Sequence, residues 1–541
     1  MNDLINQPGT SSGSIGMPKL GEMNQIGTVL EVKSGTVKVL VPKEVIARQE
    51  LAKHCRIGAI IKCYSDGAEV FGIIRYVAAG TELGTIVLEL ELSGQMEASG
   101  FARGVSNFPL PGEACFAASP TDLERIFAPG DGQSVVIGKV FPTDYIDAGL
   151  RVEPLLSKHF AVLGSTGSGK SSTVALMIHR FVEAMPNAHI LVLDPHNEYE
   201  RAFESSGVHF NTANLALPYW LMNFTEHVEV FVGHDTKGRG GEVDILKRVL
   251  LRARKSYYSG PKGIRITVDT PIPYKLSDML SILDDESGKL DKAEDIYPFL
   301  KLRTKIEELR NDPRYSFMFS GLLINDNMSE IVSKILRFPV LGRPVTTLDL
   351  SGVPSEIVDV VVSVLSRMVF DYAVWSRQMG EGTPLLLICE EAHRYVPRKV
   401  AEGTLYAARK SLERIAKEGR KYGVSLGLVT QRPSDLSGTV LSQCGTLISM
   451  RLNNEYDRGF VANAMPEGSG SFLDSLPTLK NRECVISGEG VGAPVRVRLD
   501  FLEEKLRPAS DDPEFHTGWK HDLSNGNIVD SVIAEWRKGE K

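Results

Sequence analysis

One eight-residue stretch constrains the fold more than any other feature of the 541-residue chain. Gly164-Ser165-Thr166-Gly167-Ser168-Gly169-Lys170-Ser171 matches the pattern G-x-x-x-x-G-K-[ST] in full. It directly follows the apolar run FAVL and precedes VALMIHRFVEA, whose apolar residues recur at helical spacing. HILVLDPHNEY comes next, so the order is strand, glycine loop, helix, strand, which belongs to an α/β unit with a parallel sheet. Glycines let backbone N–H groups wrap a β-phosphate at a helix N-terminus, where the helix dipole favours an anion. Gly164, Ser165, Thr166, Gly167, Ser168, Gly169, Lys170, Ser171 and Ser172 are therefore expected to line a bound ATP. Lys170 is expected on its β- and γ-phosphates. Ser171 is expected to give its hydroxyl to Mg²⁺, which prefers hard oxygen donors.

The other half of the chemistry lies in Leu385-Leu386-Leu387-Ile388-Cys389-Glu390-Glu391-Ala392-His393, an apolar run ending in two acids. At the carboxyl edge of a parallel sheet, the first acid can hold the Mg²⁺ water shell and the second can polarise an attacking water. Glu390 is assigned to the metal and Glu391 to catalysis. Taken alone, a strand ending in Glu-Glu reads equally as one meeting solvent; the glycine loop turns the reading toward chemistry. His196 and Glu198, in LDPHNEY, fall where a doubly wound sheet keeps its ligands, although local sequence alone favours a solvated Pro- and Asn-rich turn. Asn197 in that box is a residue type that tolerates left-handed backbone. Gln431, at the end of VSLGLVT, can sense the γ-phosphate from the next strand along. Arg420 closes the basic stretch ARKSLERIAKEGRK and is placed to project outward; by itself it reads equally as a solvated cation complementing a helix C-terminus.

Lys170 and Glu390 stand 220 residues apart, more than a minimal nucleotide-binding core requires. A mostly helical stretch at about 241–340 accounts for much of the excess. The expected organisation is a flexible tail over 1–24, a β-barrel over 25–145, a RecA-like α/β core over 146–505 carrying that helical insertion, and a tail over 506–541 with one short amphipathic helix. The barrel rests on evenly spaced short runs (IGTVLEV, TVKVLVP, AIIKCYS, EVFGIIRYV, TIVLELEL, ACFAAS, SVVIGKVF) with turn residues between them. Closure is the favoured form because it removes exposed edges. The six cysteines form no close C-x-x-C pair and read as buried small hydrophobes in a reducing compartment. No apolar run is long enough to span a membrane and the N-terminus is not a signal peptide, so a cytoplasmic protein with no membrane partner is expected. The net charge of −7 argues against a protein coated in nucleic acid and restricts any such partner to a local basic lining.

In their order and approximate spacing, FAVLGSTGSGKSS, LDPHNEY, VDTPIPY, CEEAHRY, AKEGRKYG and VTQRP, preceded by the barrel, resemble the HerA family of the HerA and FtsK translocase superfamily. The resemblance implies a homohexameric ring of RecA-like ATPase domains that draws double-stranded DNA through its central pore, with ATP between subunits. It implies that Arg420 is an arginine finger entering the neighbour's site. It also implies a partner effector, a nuclease such as NurA or, in bacterial anti-phage systems, a sirtuin-like NADase. Arg398, Lys399, Arg409 and Lys410 are the candidate pore contacts; singly, each reads more readily as solvated surface. The competing expectation is a hexameric ATP-binding scaffold that assembles and regulates the effector without moving DNA. Glu390 stands where many P-loop enzymes carry Asp.

Overall fold

The computed structural model describes residues 24–98, 100–127, 134–141, 143, 145–260, 263, 265–400, 404, 406–465, 470–509, 515–520 and 527–538. Nearly all of the expected N-terminal tail thus lies outside the described residues. The chain divides into two compact units, Met1–Ile126 and Phe127–Lys541.

In the first unit, short alternating runs become seven strands: β1 Gln25–Lys33, β2 Thr36–Val41, β3 Ile60–Ser65, β4 Ala68–Ala79, β5 Ile86–Glu97, β6 Gly100–Arg103 and β7 Ala114–Ala117. The sequence TVKVLV shows why they pair around one core: Val37, Val39 and Val41 are buried while the residues between them are not. Asp66 (φ 47°) and Gly67 (φ 79°) make the two-residue turn from β3 to β4, the left-handed pair that a tight hairpin requires. Strand β2 pairs with both β1 and β5, so the order β2-β1-β7-β3-β4-β5 closes on itself, and β6 is added to β5 beyond the ring. The interior holds Ile26, Val37, Val39, Ile61, Cys63, Ile74, Leu88, Leu90 and Cys115. The expected closed barrel is present.

The second unit is built on an eleven-stranded sheet. Its strands are β8 Ser134–Val140, β9 Asp147–Arg151, β10 Phe160–Leu163, β11 Ile190–Asp194, β12 Gly207–Phe210, β13 Val345–Asp349, β14 Leu385–Cys389, β15 Val424–Thr430, β16 Thr446–Ser449, β17 Glu483–Gly488 and β18 Val495–Leu499. Their order is β12-β13-β11-β14-β15-β10-β16-β17-β18-β8-β9, parallel from β12 to β16 and antiparallel beyond. FAVL, ILVLD and LLLIC are buried at every position, as strands covered on both faces must be. One expectation needs correction: SVVIGKVF, read with the barrel, is β8 of this sheet. Its alternation suits a half-buried antiparallel strand in either place. What decides is β18, which sets Val497 opposite Val140 and is invisible to local pattern.

Helix α1 (Lys170–Ala184) links β10 to β11. Between β12 and β13 lie α2 (Phe224–Phe231), α3 (Gly240–Tyr257), α4 (Leu276–Ser287), α5 (Ala293–Asn311) and α6 (Met328–Leu336). Leu246, Val249, Met279, Leu283, Leu302 and Ile306 are among the buried residues of α3 to α5. Two further helices, α7 (Val358–Gln378) and α8 (Ala407–Tyr422), flank β14, and α9 (Asn527–Lys538) lies near the C-terminus. Among the described residues no helix is long and apolar enough to cross a membrane.

Candidate nucleotide site

The glycine loop leaves the carboxyl end of β10, whose Leu163 lies beside Thr430 of β15 and Ser449 of β16. Gly167 (φ 71°) and Gly169 (φ 99°) are left-handed; a Cβ on Gly167 would meet nothing within 4 Å, so glycine is needed there for its backbone angle. At Gly164 the demand is space, since a Cβ would stand 2.6 Å from Ser168 Oγ and 2.9 Å from Met450 Cβ. Both the backbone N–H and the hydroxyl of Ser165 donate to the Arg451 carbonyl, each at 2.9 Å. Thr166 Oγ1 donates to Gln431 Oε1. The loop is thereby held open between two neighbouring strand ends, with α1 starting at Lys170.

Lys170 is buried, and its ammonium donates one hydrogen bond, 3.2 Å, to the Ser165 carbonyl. Two of its three donors remain for phosphate oxygens. Burial pulls its pKa down, against the fields of Glu390, Glu391 and Glu198, which favour the ammonium. The strand ends thus surround one lysine with three carboxylates.

The DPHNEY loop is organised by Asp194, the last residue of β11, which accepts from the backbone N–H groups of His196 (3.1 Å) and Tyr199 (2.9 Å). Asn197 takes φ 54°, the left-handed conformation its residue type tolerates. The turn carries Tyr199 inward until it is fully buried, where its hydroxyl donates to Glu390 Oε1. Glu390 is itself buried, and this pushes its pKa up to about 8; the Tyr199 bond and Lys170 oppose the rise, and Glu198 and Glu391 add to it. One Glu390 oxygen and the Ser171 hydroxyl at the start of α1 suit a hard divalent cation, whose arrival would displace the carboxyl proton. Glu391 sits at φ 48°, an uncommon conformation for a residue with a side chain and one found where function demands it. Its Oε2 is buried without a hydrogen bond: His393 Nδ1 is 3.2 Å away but bonds Thr430 Oγ1 at 3.0 Å. A buried, unsatisfied carboxylate oxygen is a ready acceptor for a proton of an attacking water.

Lys170, Glu198, Glu390, Glu391 and Gln431 therefore converge, while His196 is exposed on the loop. Arg420 does not join them. It lies exposed in the last turn of α8, and Gly423 (φ 78°) then turns the chain into β15. That places it at the amino edge of the sheet, on the order of 20 Å from the glycine loop at about 3.3 Å per strand residue. Of the candidate basic contacts, Arg398, Lys399 and Lys410 are exposed, whereas Arg409 is half-buried and pairs with Glu413 at 2.8 Å. Arg398 donates to the Tyr456 hydroxyl at 2.9 Å and covers the Phe460 ring. Sequence reasoning assigned nothing to Asp194, Tyr199, Met450 or Arg451. The first two stand inside a motif already singled out; the last two are marked only by which strand lies beside β10.

An open phosphate loop on a parallel sheet, with paired acids at the end of β14 one strand beyond its neighbour β15, defines an ATP-hydrolysing P-loop enzyme of RecA-like fold. Residues 135–369 match the family described as the helicase HerA central domain. The chain is 27% identical over 434 residues to the DNA double-strand break repair helicase HerA of Sulfolobus acidocaldarius, covering 79% of this chain and 80% of that one. The Pyrococcus furiosus protein of the same description is 26% identical over 436 residues, 73% of this chain and 74% of that one. Among solved structures, VirB4 of Thermoanaerobacter pseudethanolicus aligns with TM-score 0.49 at 14% identity, over 70% of this chain and 99% of that one. Its central region, residues 135–369, is thus that of the HerA helicases, and the similarity to them extends over most of the chain.

Proposed function

We propose that this ATPase is a motor that draws double-stranded DNA through the pore of a homohexameric ring and powers a partner effector, a nuclease or an NADase acting in anti-phage defence, in the cytoplasm. The observation that carries the ring is the position of Arg420. A P-loop enzyme accelerates hydrolysis by bringing a cation to the γ-phosphate, and Arg420 stands at the wrong edge of its own sheet to do so. A neighbouring subunit can supply what the chain withholds from itself. The DNA comes from the relatives described as double-strand break repair helicases.

In this reading Lys170 and the loop N–H groups hold the phosphates, Gln431 reports the γ-phosphate to β15 through Thr166, and Glu391 takes a proton from the attacking water. Bound Mg²⁺ would neutralise charge shared by the β- and γ-phosphates, and Ser171 with Glu390 would hold it. Arg398, Lys399 and Lys410 are the exposed cations proposed to meet the DNA backbone, whose phosphates offer sequence-independent contacts. The decisive experiment measures ATP hydrolysis with and without long duplex DNA, in the presence of the partner. A motor shows DNA-stimulated hydrolysis and loses effector activation in Glu391→Gln. Hydrolysis indifferent to DNA, with the effector still activated by Glu391→Gln, would instead identify a scaffold.

A further inference from the structure

One partly buried cluster stands apart from the residues assigned to the nucleotide. Glu229 lies in α2, and Gly233, at φ 113°, turns the chain back so that His234 Nδ1 comes within 3.3 Å of Glu229 Oε1. Asp359, in the first turn of α7, completes a group whose three donor atoms all lie within 4.8 Å of one another. Glu229 is 3% exposed; its Oε2 accepts from the Ala407 N–H at the start of α8 (2.9 Å), and its Oε1 is buried with no hydrogen-bond partner. Two carboxylates so close in an apolar setting repel each other. Burial raises the pKa of both, that of Glu229 to about 7, with Asp359 and Glu226 adding to the rise and His234 opposing it. The nearby Arg394 acts on Asp359.

We propose that Glu229, His234 and Asp359 form a structural site for a divalent transition-metal ion of the zinc or manganese class. One imidazole with two carboxylates is the donor set such ions accept, with water filling the remaining position. Two ligands about 2.1 Å from one tetrahedral ion lie roughly 3.4 Å apart, close to the separation of His234 from Glu229. A dication would also offset the repulsion between the two carboxylates. The mechanical result is specific. The ion would join α2, the start of α7 and, through Glu229, the first residue of α8, and Asp235, next to His234, pairs with Thr404. It would brace the first residue of the helix carrying Lys410 and Arg420.

The test uses the full-length, nucleotide-free protein, stripped with a chelator, dialysed, and titrated with Zn²⁺ while bound metal and melting temperature are measured. The expected result is one zinc per chain and a rise in melting temperature, with affinity reduced by about 100-fold or more in His234→Ala and in Asp359→Asn. Asp359→Asn preserves shape, so its loss of zinc with an unchanged circular dichroism spectrum supports the site even if His234→Ala misfolds. Wild-type protein that retains no stoichiometric zinc, or an Asp359→Asn variant that retains the same equivalent with the same affinity, overturns it. Because no nucleotide is present, neither outcome depends on the ATPase or on DNA.

Discussion

The roles proposed for Lys170 and Glu391 fall at different moments, and their surroundings separate the two effects. Lys170 already spends one donor on the Ser165 carbonyl and keeps two for phosphate. Lys170→Ala should therefore weaken ATP binding by roughly 10- to 100-fold, the loss of a charge-assisted hydrogen bond of about 1.5–3 kcal/mol. Glu391 has no hydrogen bond to lose at Oε2, which is buried and unsatisfied. Glu391→Gln should bind ATP with unchanged affinity while kcat falls by about 10²- to 10⁴-fold. Calorimetry for binding and steady-state phosphate release for turnover distinguish them, and a Glu391→Gln chain that turns over normally would remove this residue from the chemistry. At this scale the sequence was most legible where a residue type has one use. A glycine-rich loop ending in Lys-Ser has few purposes, and Asn197 took the left-handed angle its chemistry allows. Tyr199 was not legible as the partner of Glu390, because a tyrosine 191 positions earlier gives no local sign of the hydrogen bond it makes.

Helix α8 and strand β15 together set the argument about Arg420. The helix brings the chain back to the amino edge, Gly423 makes the left-handed turn that only glycine adopts without cost, and β15 carries the chain up to Gln431. An arginine at the foot of the strand and a glutamine at its head cannot serve the same bound nucleotide. Mixing two inactive proteins tests this. Lys170→Ala chains supply a finger but no site, and Arg420→Ala chains supply a site but no finger. If the finger acts in a neighbour, equal mixing should restore roughly a quarter of the wild-type ATPase rate when subunits exchange at random. A mixture as inactive as its components would show that Arg420 does not act across subunits. Elements were readable where their period was unambiguous, as in FAVL, LLLIC and the helical stretches of α3 to α5. They misled where one pattern serves two sheets, and β8 shows that alternation determines a strand without determining its neighbours.

Across the whole molecule, acidic charge exceeds basic charge by seven, yet Arg398, Lys399 and Lys410 are each exposed in the stretch between Glu391 and Arg420. If these residues hold DNA, binding should weaken linearly in log–log form as salt rises. Each phosphate contact removed by mutation to alanine should lower the slope by about 0.9. Arg409→Ala should leave the slope unchanged, because that guanidinium is engaged with Glu413. Fluorescence anisotropy across a salt series reads both, and an unchanged slope in the triple variant would exclude this stretch from the contact. Net charge could not predict which cations are exposed, since it counts residues without saying which of them are paired.

Strand β10, which holds the glycine loop, lies between β15 and β16, and Phe160 is aligned with Gly427 on one side and Thr446 on the other. Every pairing of the barrel, in contrast, is made within its own first 117 residues. A chain emerging from the ribosome can therefore complete its barrel early, while the phosphate loop, though already synthesised, has no sheet to anchor it until the last third arrives. A chain cut short in the helical insertion would keep the barrel strands and lack β15 and β16, the two neighbours of the strand that carries the phosphate loop.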